Sequence, residues 1–226
     1  EAGLRTGDKW QPFPEEINRQ IAGVVADLHF APTQHAKRNL LKENVPENRI
    51  IVTGNPVIDA LQEISQLDAP AEIRHLLSRL DVIPQKNKQL IMVTAHRREN
   101  FGQPIQEICN ALKRIAEAYP KQVQLVYPVH LNPNIQEPVN RQLAGIENIT
   151  LLKPLDYLPM IALMKHARIV LTDSGGIQEE ATALGIPTLV LRKVTERPEG
   201  VEAGVLKLVG TDQDNIFAET SKLLEN

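Results

Sequence analysis

Short apolar runs alternate with amphipathic segments along this chain, and that alternation is the feature that most limits its fold. Six runs rich in β-branched residues follow residue 88, and segments with helical periodicity separate them. Strands separated by helices indicate right-handed crossovers, and a continuous apolar run such as residues 90–93 is typical of a parallel strand buried on both faces. The sequence therefore predicts an α/β fold with a doubly wound parallel sheet.

The predicted elements fall into two groups. The second group has strands over residues 89–94, 122–127, 149–152, 168–172, 188–191 and 205–209, with helices over 103–118, 134–143, 157–165, 176–184 and 213–224. The first group has helices over 14–25, 33–43 and 57–64 and strands over 28–31 and 49–53. Residues 65–88 are polar, carry Pro70 and Pro84, and predict a connection between two units, with a short helix around 72–80.

Composition excludes several kinds of partner. The net charge of −3 argues against a nucleic acid or an acidic membrane surface as a bulk partner. Cys109 is the only cysteine, so the chain forms no internal disulfide and fits a reducing compartment. Because no apolar run approaches the length of a membrane span, we expect a cytoplasmic protein.

Ligands of doubly wound sheets bind beyond the carboxyl ends of the strands, so the residues after each strand are the first candidates. Ser174, Gly175 and Gly176 follow one strand and open a helix, whose free N–H groups suit a phosphate; turn geometry alone would also explain the glycines. Glu180 lies about 60° from the apolar stripe of that helix and could accept both hydroxyls of a ribose, whereas Glu179 is expected to point into solvent.

A charged cluster follows another strand. His96 and Arg97 suit a pyrophosphate or a developing anion, and His96 can also act as an acid, although a solvated charged loop is the alternative. Glu15 could be a surface acid at a helix start, and His130 a ligand contact or only the end of a strand. Since no metal-ligand cluster and no dinucleotide fingerprint is present, no cofactor is expected.

Six ordered segments together resemble one family. They are residues 1–7 (EAGLRTG), 14–19 (PEEINR), 53–61 (TGNPVIDAL), 94–100 (TAHRREN), 173–180 (DSGGIQEE) and 192–199 (RKVTERPE). In this order they resemble the non-hydrolysing UDP-N-acetylglucosamine 2-epimerases. The resemblance implies the glycosyltransferase-B architecture, with residues 1–64 as the distal part of an N-terminal Rossmann-like domain and 89–226 as a C-terminal, nucleotide-binding one.

The resemblance also implies a reaction and a set of site residues. UDP is eliminated across C1–C2 of the sugar and added back with a proton on the other face of C2, without an external cofactor. The implied catalytic residues are Glu1, Glu15 and His96. The implied substrate contacts are Arg97, His130, Tyr157, Ser174, Gly175, Gly176, Glu180 and Arg192. A homodimer is implied as well.

Other interpretations stay open at this point. A nucleotide-sugar glycosyltransferase of the same fold would explain residues 174–180 but not the first segment or the His96 cluster. A hydrolysing epimerase would release free N-acetylmannosamine. The family's first half-domain and its C-terminal end are not matched here. A non-catalytic UDP-binding module and an inactive fragment of the enzyme are therefore further alternatives.

Overall fold

The computed structural model describes residues 1–82 and 88–225, and its strands form two parallel sheets. The smaller sheet pairs β1 (His29–Ala31) with β2 (Ile50–Val52). The larger sheet contains β3 (Gln89–Thr94), β4 (Val123–Pro128), β5 (Ile149–Leu152), β6 (Ala167–Thr172), β7 (Thr188–Val190) and β8 (Leu206–Leu208). All five of its strand pairings are parallel, which confirms the predicted fold class.

Apart from α9, which was not predicted, the helices begin and end close to the predicted positions. The first four are α1 (Glu15–Val25), α2 (Gln34–Lys42), α3 (Pro56–Ser65) and α4 (Ala71–Arg79). Along the larger sheet follow α5 (Gln103–Ala118), α6 (Pro133–Leu143), α7 (Tyr157–Met164), α8 (Gly175–Ala183), α9 (Pro198–Glu202) and α10 (Gln213–Glu225). Thr33 caps α2, because its hydroxyl accepts a hydrogen bond from the Ala36 N–H at 3.0 Å.

The larger sheet is covered on both faces. Along β3, Ile91 and Val93 pack into a cluster with α5, α6 and α10, whereas Leu90 and Met92 pack into a second cluster with α3, α4, α7 and α8. This division follows from the two-residue period of a strand, which sends successive side chains to opposite faces. The core thus lies on both sides of the strands, as a doubly wound sheet requires.

The strand order of the larger sheet is β5-β4-β3-β6-β7-β8. From β3 the chain moves outward to β4 and β5, then returns to the other side of β3 with β6 and continues outward to β8. The order therefore reverses between β3 and β6. The gap outside the carboxyl ends of these two strands is where an open α/β sheet binds its ligand.

The predicted connection packs on the larger sheet. Ile73 and Leu77 of α4, together with Leu61 of α3, are buried in the cluster that covers β3 and β6. Residues 83–87 of the predicted connection, and Asn226 at the end of the predicted C-terminal domain, lie outside the described residues. The division into domains at 1–64, 65–88 and 89–226 stays a prediction.

The N-terminal unit has a small core and an uncovered apolar face. Ala31, Ala36, Leu40 and Ile50 are buried together with Leu4. Helix α1 carries an apolar stripe whose side chains are exposed: Ile21 by 58%, Val24 by 87% and Val25 by 77%. A sheet of two three-residue strands is too small to cover this face of the helix.

Candidate functional site

The loops after β3 and β6 meet at the carboxyl edge of the larger sheet through one buried carboxylate. Asp173 follows β6 directly and is fully buried. Its Oδ2 atom accepts hydrogen bonds from the backbone N–H of His96 at 2.8 Å, the backbone N–H of Arg97 at 2.7 Å and the Asn100 side-chain amide at 2.8 Å. This carboxylate therefore fixes the loop that carries the two predicted site residues.

His96 lies next to the other predicted site histidine. The His96 and His130 rings stack with their centroids 5.5 Å apart and an angle of 16° between planes. Burial lowers the pKa of His96, Asp173 raises it, and the charges of Arg97 and His130 lower it further. The net result is a pKa below the ordinary value, so the neutral imidazole dominates at neutral pH in the free protein.

The two glycines at the start of α8 have different environments. Gly175 is buried, and a Cβ atom there would lie 2.5 Å from Nη1 of Arg197. Gly176 is exposed, and no atom lies within 4 Å of the position of its Cβ. Only Gly176 therefore leaves open space beside the helix start, while Ser174 lies between strand and helix with its N–H donating to the Thr172 hydroxyl at 2.9 Å.

Glu180 and Tyr157 come together on this side of the sheet, one from α8 and one from the first residue of α7. The Tyr157 hydroxyl lies against the Glu180 carboxyl and bonds to it. Burial raises the pKa of Glu180 even though the Tyr157 hydrogen bond lowers it. The structure thus places the predicted ribose contact and another implied substrate contact in one cluster.

Both predicted carboxylates of the N-terminal unit are ion-paired with arginines at the sheet edge. Glu15, in the first turn of α1, pairs with Arg97. Glu1 accepts from Arg19 at 2.9 Å and lies 3.5 Å from Arg197. Burial would raise the pKa of Glu1, but Arg19 and then Arg197 lower it below the ordinary value, so Glu1 is ionised at neutral pH.

Arg192 is held inside an ion-pair network. Its Nε donates to Glu99 at 2.8 Å and its Nη1 to Glu196 at 3.0 Å, and the residue is almost completely buried. Glu196 also accepts from Arg197 at 2.7 Å and lies 3.4 Å from Arg19. The Nη2 atom of Arg192 has no partner among the described residues. A direct contact of Arg192 with substrate stays a prediction.

One expectation about α8 is wrong. Glu179 does not point into solvent: its side chain is 18% exposed, pairs with Arg197 and accepts a hydrogen bond from Asn55. The helical periodicity of α8 takes no account of α3, which packs against this side of the helix. Glu179 therefore links the N-terminus of α3 to the arginine that lies over Gly175.

Sequence reasoning assigned no role to several residues of this site: Arg19, Asn100, Asp173, Glu196 and Arg197. For Asp173 there was a usable signal, because an acid directly after a buried strand and before a helix start lies at the ligand edge of the sheet. No comparable signal existed for Arg19 and Glu196, which are 177 positions apart in the chain.

The cavities of the structure lie partly at this site. One of about 170 Å³ is lined by Trp10, Phe13, Glu15 and Arg97. Another, of about 360 Å³, lies at the opposite edge of the sheet, beside β7, β8 and α10, and contains none of the predicted site residues.

Among residues 1–82 and 88–225, no group of three or more acidic, histidine or cysteine side chains could hold a metal ion. Within these ranges, no helix is both long and apolar enough to cross a bilayer.

Comparison with known proteins gives one consistent result. A family model described as UDP-N-acetylglucosamine 2-epimerase matches residues 1–226. The UDP-N-acetylglucosamine 2-epimerases of Yersinia pestis and Salmonella typhimurium are 55% identical over 226 residues and 53% identical over 231 residues, covering 99% and 100% of this chain. The chain spans about 60% of the length of each.

The same result comes from solved structures. The UDP-GlcNAc 2-epimerase of Neisseria meningitidis, crystallised with UDP-GlcNAc bound, matches with a TM-score of 0.93 and 45% identity. The match covers 100% of this chain and 60% of that one. It agrees with the predicted glycosyltransferase-B type of the α/β fold.

Proposed function

The chain belongs to the UDP-N-acetylglucosamine 2-epimerase family, and from this premise we propose that the protein interconverts UDP-N-acetylglucosamine and UDP-N-acetylmannosamine. The observation that carries the proposal is the ion pairing across the cleft. Glu15 pairs with Arg97 and Glu1 with Arg197, so two carboxylates of the N-terminal unit lie beside the sheet edge that also carries His96 and the start of α8.

The proposed reaction is an elimination followed by a re-addition. One carboxylate removes the proton at C2 while the C1–O bond breaks, which gives a glycal and UDP. UDP then adds back at C1, and C2 receives a proton on the opposite face. The C2 proton is only weakly acidic, so cleavage at C1 must assist its removal.

Each site residue has a proposed part in this reaction. Glu1 and Glu15 exchange the proton at C2, because two carboxylates are needed to serve the two faces of one carbon. His96 and Arg97 stabilise the charge that develops on the departing phosphate. The open helix start at Ser174 and Gly176 receives phosphate, and the remaining substrate contacts are Glu180, Tyr157, Gly175, His130 and Arg192.

Deuterium exchange tests this proposal on the protein at the full length of its relatives. In D₂O, UDP-N-acetylmannosamine formed from UDP-N-acetylglucosamine should carry deuterium at C2, measured by mass spectrometry and NMR. Product without solvent deuterium would exclude proton exchange at that carbon and point to a hydride route. Glu15→Gln should lower turnover by about 10²–10⁴-fold while UDP still binds. The matched change at the surface acid Glu47, whose ion-pair partner among the described residues is Lys37, should leave turnover unchanged.

Product analysis separates the proposal from its alternatives. A glycosyltransferase would require an acceptor, and a hydrolysing epimerase would release free N-acetylmannosamine with UDP. A non-catalytic UDP-binding module would bind the nucleotide and form no product. An epimerase forms the second UDP-sugar from the first with no further substrate.

The proposal extends to assembly and location. We propose a homodimer through the N-terminal unit, supported by the exposed stripe of Ile21 and Val24 on α1, and sedimentation of the full-length protein as a monomer would contradict it. We also propose a cytoplasmic enzyme that binds neither nucleic acid nor membrane, consistent with the single, buried cysteine and the net charge of −3.

A further inference from the structure

The buried carboxylate of Asp173 has one oxygen satisfied and one free. Oδ2 accepts three hydrogen bonds, from the His96 and Arg97 backbone and from Asn100. Oδ1 is buried and has no hydrogen-bond partner among the described residues. A candidate donor, Nδ1 of His96, lies 3.6 Å away. A small rotation of the imidazole would close this distance to a hydrogen bond.

We propose that Asp173 is the positioning residue of His96: its Oδ1 accepts the Nδ1–H of the imidazole and leaves Nε2 as the free ring nitrogen. A buried carboxylate oxygen without a donor is costly, so the arrangement also satisfies Oδ1 of Asp173. The role of Asp173 in the reaction rests on the proposed epimerase function. The geometry of the Asp173–His96 pair is independent of that function.

This pairing determines which ring nitrogen of His96 carries a proton in the neutral ring and which one faces the substrate. In the neutral ring the proton is on Nδ1 and Nε2 is an acceptor. In the protonated ring Nδ1–H remains bound to Asp173, and Nε2–H can donate to an oxygen of the departing phosphate. Asp173 raises the pKa of His96, against the lowering effects of burial, Arg97 and His130. The carboxylate therefore favours the charged ring that the leaving group needs.

The substitution Asp173→Asn tests the orientation sharply. Three N–H donors converge on Oδ2, so the single oxygen of the asparagine must take that position. Its NH₂ group must then occupy the position of Oδ1 and direct an N–H at Nδ1 of His96. A ring that accepts at Nδ1 carries its proton on Nε2. The variant is therefore expected to invert the tautomer of His96.

The measurement is long-range ¹H–¹⁵N NMR of this 226-residue chain with ¹⁵N-labelled histidine, at about pH 8 where an ordinary imidazole is neutral. The His96 signals are assigned by their loss in His96→Gln. The wild-type chain should show the proton on Nδ1 and Asp173→Asn should show it on Nε2. The control Asn100→Ala removes a donor to Oδ2 without touching Oδ1, so it should keep the wild-type tautomer.

A wild-type ring protonated on Nε2 would overturn the proposal, and this holds even if Asp173→Asn does not fold. Inversion in Asn100→Ala would also overturn it, because the tautomer would then follow loop packing. In the full-length protein, Asp173→Asn should lower turnover by about 10²–10⁴-fold. If wild-type His96 carries the Nδ1 proton but the full-length protein forms no epimer, the proposed function fails and the positioning of His96 stands.

Discussion

Glu180 shows at the residue scale how burial prepares a carboxylate for a hydroxyl ligand. It is 5% exposed, and the Tyr157 hydroxyl beside it is the neighbour that lowers the pKa of its carboxyl. Burial and then Glu180 raise the pKa of Tyr157 to about 12. At neutral pH the phenol therefore keeps its proton and can donate a hydrogen bond to Glu180. The remaining lone pairs of Glu180 can accept from the two hydroxyls of a ribose.

Replacement of Glu180 should therefore weaken the binding of UDP. We expect Glu180→Ala to cost about 1.5–3 kcal/mol of binding free energy, since a hydrogen bond to a charged group is lost. Calorimetric titration of UDP into this chain measures the effect. Glu137→Ala, at an exposed position of α6, is the matched control and should bind UDP like the wild type. Equal affinity of the two variants would remove Glu180 from the site.

The two adjacent glutamates of α8 show how much of a site a sequence predicts. The position of Glu180 near the apolar stripe follows from helical geometry alone. The position of Glu179 does not, because its surroundings come from Asn55 and Arg197, which lie elsewhere in the chain. A helical period gives the direction of a side chain relative to its own helix, and it gives no information on what packs there.

At the scale of elements, the two glycines at the start of α8 differ in what lies beside them. Arg197 lies over Gly175 and is fixed in place by Glu179 and Glu196, so the guanidinium cannot move away without breaking ion pairs. Gly176 faces open space. Both glycines have helical backbone geometry, so an alanine is allowed by the backbone at either position.

The same substitution should then have opposite effects at the two glycines. Gly175→Ala should lower the free energy of unfolding by about 1–3 kcal/mol, because the new methyl group overpacks against Arg197. Gly176→Ala should leave stability unchanged or raise it by up to about 1 kcal/mol, from the better helix propensity of alanine. Gly176→Ala should nevertheless weaken the binding of UDP, since its methyl group fills the space proposed for phosphate. Denaturant unfolding and UDP titration of both variants measure this; equal destabilisation by the two would contradict it.

Among the elements, the buried ones were the most predictable. β3 has the predicted bounds, and β4 and β6 differ by one residue, because strands buried on both faces leave a continuous apolar run in the sequence. β5 also has the predicted bounds, although it lies at the edge of the sheet and only Ile149 of it is buried. The five-residue helix α9 was missed, since it is too short to show a helical period. Its role in carrying Arg197 at its N-cap position, close to Gly175, appears only in three dimensions.

At the scale of the whole molecule, the ion-pair network around Glu196 connects residues that are far apart in the sequence. Glu196 is buried and bonded to Arg192 and Arg197 of its own unit, and it also lies 3.4 Å from Arg19 of the N-terminal unit. Alternating strands and helices predict two units and a parallel sheet, but they do not give the strand order or the packing between units. Contacts over such sequence separations depend on the assembled fold, so this network could not be predicted from local patterns.

The network makes the stability of the whole molecule depend on pH. Burial alone would raise the pKa of Glu196, but Arg192, Arg197 and Arg19 lower it to about 2. A folded-state pKa below the ordinary value means that the carboxylate stabilises the fold fully above about pH 4.5. That stabilisation, about 3 kcal/mol, is lost as the pH falls from there towards 2.

Glu196→Gln should show this dependence directly. At pH 7 the variant leaves buried arginines without their counter-charge and should be less stable by about 3–5 kcal/mol. As the pH falls from 5 towards 3, the unfolded wild-type chain takes up a proton on Glu196 while the folded chain keeps it ionised, so the difference between the two proteins should become smaller. Denaturant unfolding at a series of pH values measures both. Glu47→Gln, at an exposed pair with Lys37, serves as the control and should shift stability little at any pH. A difference for Glu196→Gln that stays constant from pH 7 to pH 3 would show that the charge of Glu196 is not what binds the two units together.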